Sequence, residues 1–185
     1  MNKVFIHHLE TLAPEHRYPQ AFLAERLAAQ TEDPRAARLV RQVFRKSGIE
    51  FRHSVLPDLL PGKAPRLFFP GPDGRLIEPS TEARNRCFIE SSEALCLELA
   101  RRTIDNAGQF LPDDITHVIT ASCTGFFAPE PDYLLVRDLG IRRTAERYHI
   151  GFMGCAAAFP ELRAAARICE ARPGAVILVV CTELC

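Results

Sequence analysis

The chain has 185 residues, the length of one ordinary domain, with 47% hydrophobic and 25% charged residues. Lys+Arg and Asp+Glu balance at 23 each, so no cationic excess points to nucleic acid or an anionic membrane surface as a partner. No apolar run approaches the roughly 18 residues of a membrane span, and the start Met-Asn-Lys-Val-Phe-Ile-His-His lacks a signal-peptide core, so the expected location is the cytoplasm.

Val4–Leu9 reads as a strand, followed by a proline-bounded loop to Pro19. Phe22, Leu23 and Leu27 have helical spacing, which predicts a helix over 20–30. Asp33-Pro34 supplies an N-cap and a first-turn proline for a second helix, running to Lys46 and stopping at Ser47-Gly48. Phe51–Val55 suits a short strand. The six prolines between Pro57 and Pro79, with a Gly-Pro-Asp-Gly turn, mark an ordered loop or lid.

Residues 80–106 are helical in character, with Leu95, Leu99 and Ile104 as the apolar face, and Pro112-Asp113-Asp114 ends that stretch. Thr116–Ser122 is rich in β-formers and predicts a buried strand. A short helix over 132–139 ends at Gly140, a strand covers 147–152, and a helix covers about 156–171. The run Ala175–Cys181 is continuously apolar, as in a strand covered on both faces. Strands alternating with helices imply an α/β fold with a mixed, mostly parallel sheet. No repeat and no Gly/Ser linker divides the chain. So hydrophobic a strand in the last eleven residues suggests further sheet from beyond Cys185 or from another chain.

Seven cysteines are present, most within apolar segments, where buried free thiols are the default reading. Cys181 and Cys185 form a C-x3-C pair that lacks two further ligands, so no metal site is expected. The sharpest local feature is Gly151-Phe152-Met153-Gly154-Cys155-Ala156-Ala157-Ala158. A strand ends and a helix begins there, with the cysteine at the junction and small neighbours around it. A thiol at a helix N-terminus faces unpaired N–H groups and the positive end of the dipole, which favour the anionic nucleophile. The same N–H groups suit a developing oxyanion. The alternative is a small residue packed in a tight turn.

Four segments in order carry a resemblance. Ile115–Thr120 forms a strand, and Ser122-Cys123-Thr124-Gly125-Phe126-Phe127-Ala128-Pro129-Glu130-Pro131-Asp132-Tyr133 forms a loop and helix start. Leu139-Gly140-Ile141 then leads to Gly154-Cys155, and Pro173–Glu183 closes the series. Together they resemble the amino-terminal part of type III polyketide synthases, the chalcone and stilbene synthase-like enzymes, of bacterial type. The resemblance implies a thiolase-like fold with αβαβα layers in the complete enzyme, residues 1–185 being most of its first αβα half. It implies that Cys155 accepts an acyl group from coenzyme A, and that malonyl-CoA is decarboxylated and condensed repeatedly. The resulting polyketide cyclises to a pyrone or resorcinol-type ring. The implied substrates are an acyl-CoA starter and malonyl-CoA, with no bound cofactor and a homodimer as the assembly. Cys123 and Thr124 match positions at the starter pocket. Arg41 and Lys46 fall where the family has cations that meet the phosphates of coenzyme A.

The family's catalytic His and Asn lie in the second half of the fold, so the 185-residue chain alone is expected to be inactive. His149, six residues before Cys155, and His53 and His117 are read as structural or solvated rather than as the base. Two alternatives stay open. One is a β-ketoacyl synthase that starts fatty-acid synthesis. The other is a non-catalytic half-protein that binds acyl-CoA or a partner half.

Overall fold

A computed structural model describes residues 3–60, 67–68 and 75–184. The chain divides into two compact units, one of residues 13–84 and one of residues 1–12 with 85–185.

The smaller unit holds β1 (His16–Pro19), α1 (Gln20–Ala28), α2 (Pro34–Lys46) and β2 (Phe51–Ser54). β1 lies in the segment that the sequence suggested as loop. Its four residues pair antiparallel with β2, from His16 opposite Ser54 to Pro19 opposite Phe51. Proline at the end of this two-stranded sheet is tolerated because an edge position does not need its missing N–H. Helix α2 has the bounds that its caps dictate. Asp33 accepts a hydrogen bond from the Arg35 amide at 2.9 Å, and Gly48 takes φ +72° just past the end. Buried Gln20 knits the unit together: its amide donates to Ser47 Oγ at 3.0 Å and its carbonyl accepts from Arg52 Nε at 3.0 Å. The described part of the proline-rich stretch carries no helix or strand, and the remainder of that expected lid lies outside the described residues.

The larger unit is built on a parallel sheet of order β4-β3-β5, from β3 (His117–Ser122), β4 (Glu146–Gly151) and β5 (Ile177–Cys181). This is the α/β class that the alternation of elements implied, with a sheet that is parallel throughout its three strands; the antiparallel β1–β2 pair is a separate sheet. β3 is central and buried at every position. Both faces of the apolar β5 are covered, Leu178 and Val180 packing into the core on one side and α5 lying against the other; among the described residues it pairs with β3 alone, and Cys181 at its end is exposed.

Alternation along the strands separates two faces. Val118, Leu178 and Val180 share one face, and they pack with Cys96, Ala100 and Ile104 of α3 (Thr81–Ala107) and Leu135 of α4 (Pro131–Asp138). The buried residues of α3 run at four-residue intervals as Phe88, Ser92, Cys96, Ala100 and Ile104. Of the expected face at Leu95, Leu99 and Ile104, Ile104 lies on this line, and Leu99 packs partly buried beside it with Leu97, because the small side chains between let the helix approach closely. Helix α5 (Ala158–Ala171) packs on β3 and β5. Its buried Glu161 meets Cys181, whose alternation places it on the opposite face of the sheet.

The strand expected at Val4–Leu9 is absent. That segment takes no ladder partner and leaves Phe5, Ile6 and Leu9 more than 60% exposed. β-propensity without a neighbouring strand does not make a strand.

The candidate nucleophile turn and its pocket

Strand β4 delivers the chain to the turn that carries Cys155. Phe152, just beyond it, adopts φ +58°, a left-handed conformation that costs a non-glycine residue about 1 kcal/mol. Gly154 follows at φ +66°, a value glycine takes without penalty. Two left-handed residues in three reverse the chain sharply. Cys155 then sits in a short 3-10 turn, Gly154–Ala156, and is exposed. The sequence suggested that the helix begins at about Ala156, directly behind the cysteine, but α5 starts only at Ala158. The intervening turn is closed by the Ala157 amide donating to Gly154 O at 3.1 Å. Pro160 is the third residue of α5, where its missing N–H removes no intrahelical bond.

Cys123 and Thr124 come from the turn after β3, and the structure brings that turn against the one that carries Cys155. The Gly154 amide donates to Cys123 Sγ at 2.9 Å, and the thiol reaches back to Gly154 O at 3.7 Å. The Cys123–Thr124 turn is itself held by Glu183, just past β5. Glu183 accepts from the Cys123 amide at 2.9 Å and from Thr124 Oγ1 at 2.8 Å, and the Leu184 amide donates to Thr124 Oγ1 at 3.0 Å. Hydrogen bonds to a charged acceptor contribute about 1.5–3 kcal/mol each, so this carboxylate is the main tether of the turn. The sequence reading missed Glu183, although its place two residues beyond an apolar strand was the signal available.

Gly125 extends the same loop over α3. A Cβ there would lie 2.0 Å from Phe88 Cδ1, so only glycine lets the backbone approach the ring. Asn85 fastens the next residue: its amide donates to Phe126 O at 2.8 Å, and its carbonyl accepts from Phe126 N at 2.9 Å. Phe126 and Phe152, from the two sides of the site, stand 6.3 Å apart by ring centroid and are both exposed.

The histidines are engaged elsewhere. His149 Nδ1 meets Thr120 Oγ1 at 2.9 Å and Nε2 lies 3.6 Å from Glu130, whose carboxyl is raised above its ordinary range by burial. His117 is buried on β3 with Nδ1 at 2.7 Å from Thr116 Oγ1, and burial lowers its imidazole below the usual value. His53 Nδ1 meets Pro14 O at 2.8 Å. These contacts fit the structural reading of all three.

Arg41 and Lys46 lie in the smaller unit, on an open groove of about 1020 Å³ between α1, α2 and β2. Arg38 and Arg45 line the same groove. They were legible as residues one helical turn from Arg41 in either direction, yet the sequence reading did not single them out. Arg41 is already paired, its Nε donating to both oxygens of Glu25 at 2.9 and 3.0 Å.

The sequence model for the amino-terminal domain of chalcone and stilbene synthases matches residues 3–185. An alpha-pyrone synthesis polyketide synthase-like protein of Mycobacterium tuberculosis is 32% identical over 178 residues, which are 96% of this chain and 43% of that protein. A 1,3,6,8-tetrahydroxynaphthalene synthase of Streptomyces griseus is 28% identical over 147 residues, 80% of this chain and 36% of that protein. Among solved structures, PKS-I of the brown alga Ectocarpus siliculosus superposes with a TM-score of 0.77 at 34% identity, covering 93% of this chain and 45% of that one. The tetrahydroxynaphthalene synthase of Streptomyces coelicolor superposes with a TM-score of 0.79 at 25% identity, covering 95% and 46%. The chain thus spans less than half the length of these relatives, and its fold is that of the amino-terminal half of a thiolase-like condensing enzyme.

Proposed function

The chain belongs to the chalcone and stilbene synthase family, and we propose that it forms the amino-terminal half of a type III polyketide synthase in which Cys155 is the acyl acceptor. The observation that carries this reading is the exposed thiol on a turn of small residues, held by Gly154 to the Cys123 pocket turn. The Cys155 sulfur attacks the carbonyl of an acyl-CoA, and the coenzyme A thiolate leaves. Malonyl-CoA loses carbon dioxide, and its carbanion attacks the enzyme thioester. A carbon–carbon bond forms, and the Cys155 thiolate is released for the next round.

Cys123 and Thr124 line the starter side of the pocket in this reading. Lys46, Arg41 and the flanking Arg38 and Arg45 offer cations to the phosphates of coenzyme A. A pyrone or resorcinol-type ring as product has its support in the relatives, an alpha-pyrone synthesis polyketide synthase-like protein among them. A homodimer in the cytoplasm is the assembly and location that go with this reading.

Acyl transfer tests it directly. The whole protein incubated with an acyl-CoA should gain the mass of one acyl group on the peptide that contains Cys155, and Cys155→Ala should abolish the gain. Acylation mapped to another residue, or none with any acyl-CoA, overturns it.

A further inference from the structure

Glu161 has no part in the chemistry just described. It lies on the first turn of α5 and is 0% exposed. One carboxyl oxygen, Oε2, contacts Cys181 Sγ at the end of β5, and the other, Oε1, is buried without a hydrogen-bond partner. A buried carboxylate with an unpaired oxygen is a costly way to fill space, and an aliphatic side chain of the same size would pack there at lower cost.

Its neighbours form a closed circuit. The Glu161 amide donates to Ala157 O at 3.2 Å, and the Ala157 amide donates to Gly154 O at 3.1 Å. The Gly154 amide donates to Cys123 Sγ, and the Cys123 amide donates to Glu183. Glu183 is two residues past Cys181, which returns to Glu161. The circuit thus passes through the residue before Cys155 and through the pocket turn. The charged group acting on Glu161 is Glu183. From β3 the same face brings uncharged Ile119 and Ala121, with His117 at the far end beside Glu146, and the α5 residues one turn away are alanines. Burial pushes the Glu161 carboxyl up to about 7, the Cys181 contact works against the rise, and Glu183 adds to it.

We infer that Glu161 is a positioning residue for the nucleophile turn: it registers the end of β5 against the start of α5 and, through Glu183 and Cys123, sets where Cys155 stands. The inference rests on Cys155 being the nucleophile, but its test reads thiol accessibility without turnover. An ionised Glu161 faces the Glu183 carboxylate, the end of β5 loosens, and Glu183 gives up its hold on the Cys123 turn.

The experiment measures iodoacetamide alkylation of Cys123 and Cys155 by peptide mapping from pH 6 to 9, in the purified protein and in Glu161→Gln and Glu161→Ala. Comparing variants at each pH isolates the effect of residue 161. Wild type and Glu161→Gln should agree at pH 6, and at pH 8 Cys123 should react about threefold faster in wild type, where residue 161 carries charge. Glu161→Ala should raise Cys123 reactivity at every pH. A wild-type to Glu161→Gln ratio that is constant with pH overturns the inference, and decides alone if Glu161→Ala does not fold. A ratio that changes as expected while Cys155 takes no acyl group sinks the functional reading and leaves the coupling intact. The converse, acylation of Cys155 with a flat ratio, sinks only the coupling.

Discussion

The sulfur of Cys123 accepts a hydrogen bond from the amide of Gly154 at 2.9 Å, so the residue next to the candidate nucleophile is held by a side chain of the candidate pocket. Cys123→Ala removes the acceptor and should destabilise the turn by about 0.5–1.5 kcal/mol, while Cys123→Ser keeps an acceptor and should lose less. Urea unfolding measures the first effect. The rate at which iodoacetamide modifies Cys155 in the two variants measures whether the turn has moved.

The cysteines should separate widely in reactivity. Cys155 is exposed, whereas Cys96 is buried and its thiol is raised by that burial, as is that of Cys169. Cys181 is also exposed but is pushed up to about 12 by desolvation and by the Glu161 carboxyl beside it. Peptide mapping of a timed alkylation near neutral pH should find Cys155 modified first and Cys96 among the last. Equal rates across the set would remove the case for a distinctive thiol at the turn.

Those same thiols show how much of the site was legible in the sequence. Gly154-Cys155 between a strand and a helix was readable because glycine and alanine restrict what surrounds the sulfur. The bounds of α2 were readable because Asp33-Pro34 and Ser47-Gly48 punctuate it locally. Glu183 and Glu161 were not, since their roles come from partners 59 and 20 residues away in the chain. β1 was hidden for a similar reason: His16–Pro19 has little strand character of its own and exists by pairing with β2. Val4–Leu9 failed in the opposite sense, having the pattern and no partner.

Stability should depend on pH through Glu161. Its folded-state value is raised from 4.5 to about 7. Below 4.5 the carboxyl is protonated whether the chain is folded or not, and the folded state carries no penalty. As pH rises from 4.5 to 7 the unfolded chain ionises first, so stability falls, and above 7 the loss is complete at about 3 kcal/mol. Glu161→Gln, which cannot ionise, should gain on wild type by up to that amount between pH 4 and pH 8. Urea midpoints at the two pH values check it, and a difference that does not change with pH contradicts it.

In the smaller unit, Lys46→Ala should weaken coenzyme A binding roughly tenfold, equivalent to about 1.4 kcal/mol. Arg41→Ala should cost less, because Glu25 already occupies its guanidinium. Removing that competitor with Glu25→Gln should tighten binding. Calorimetric titration with coenzyme A at low and high salt is the measurement, and the Lys46 effect should shrink as salt screens the exposed groove.

Phe152 sets two selections against each other at one position. Its backbone angle suits glycine or asparagine, while its ring, 81% exposed beside Phe126, contributes little to the folded state. A library randomised at residue 152 and sorted for thermal persistence should drift toward glycine. The same library sorted for catalytic output would reveal whether the aromatic ring earns its place at the mouth of the site. Disagreement between the two rankings would mark this residue as one where ruggedness has been conceded to chemistry.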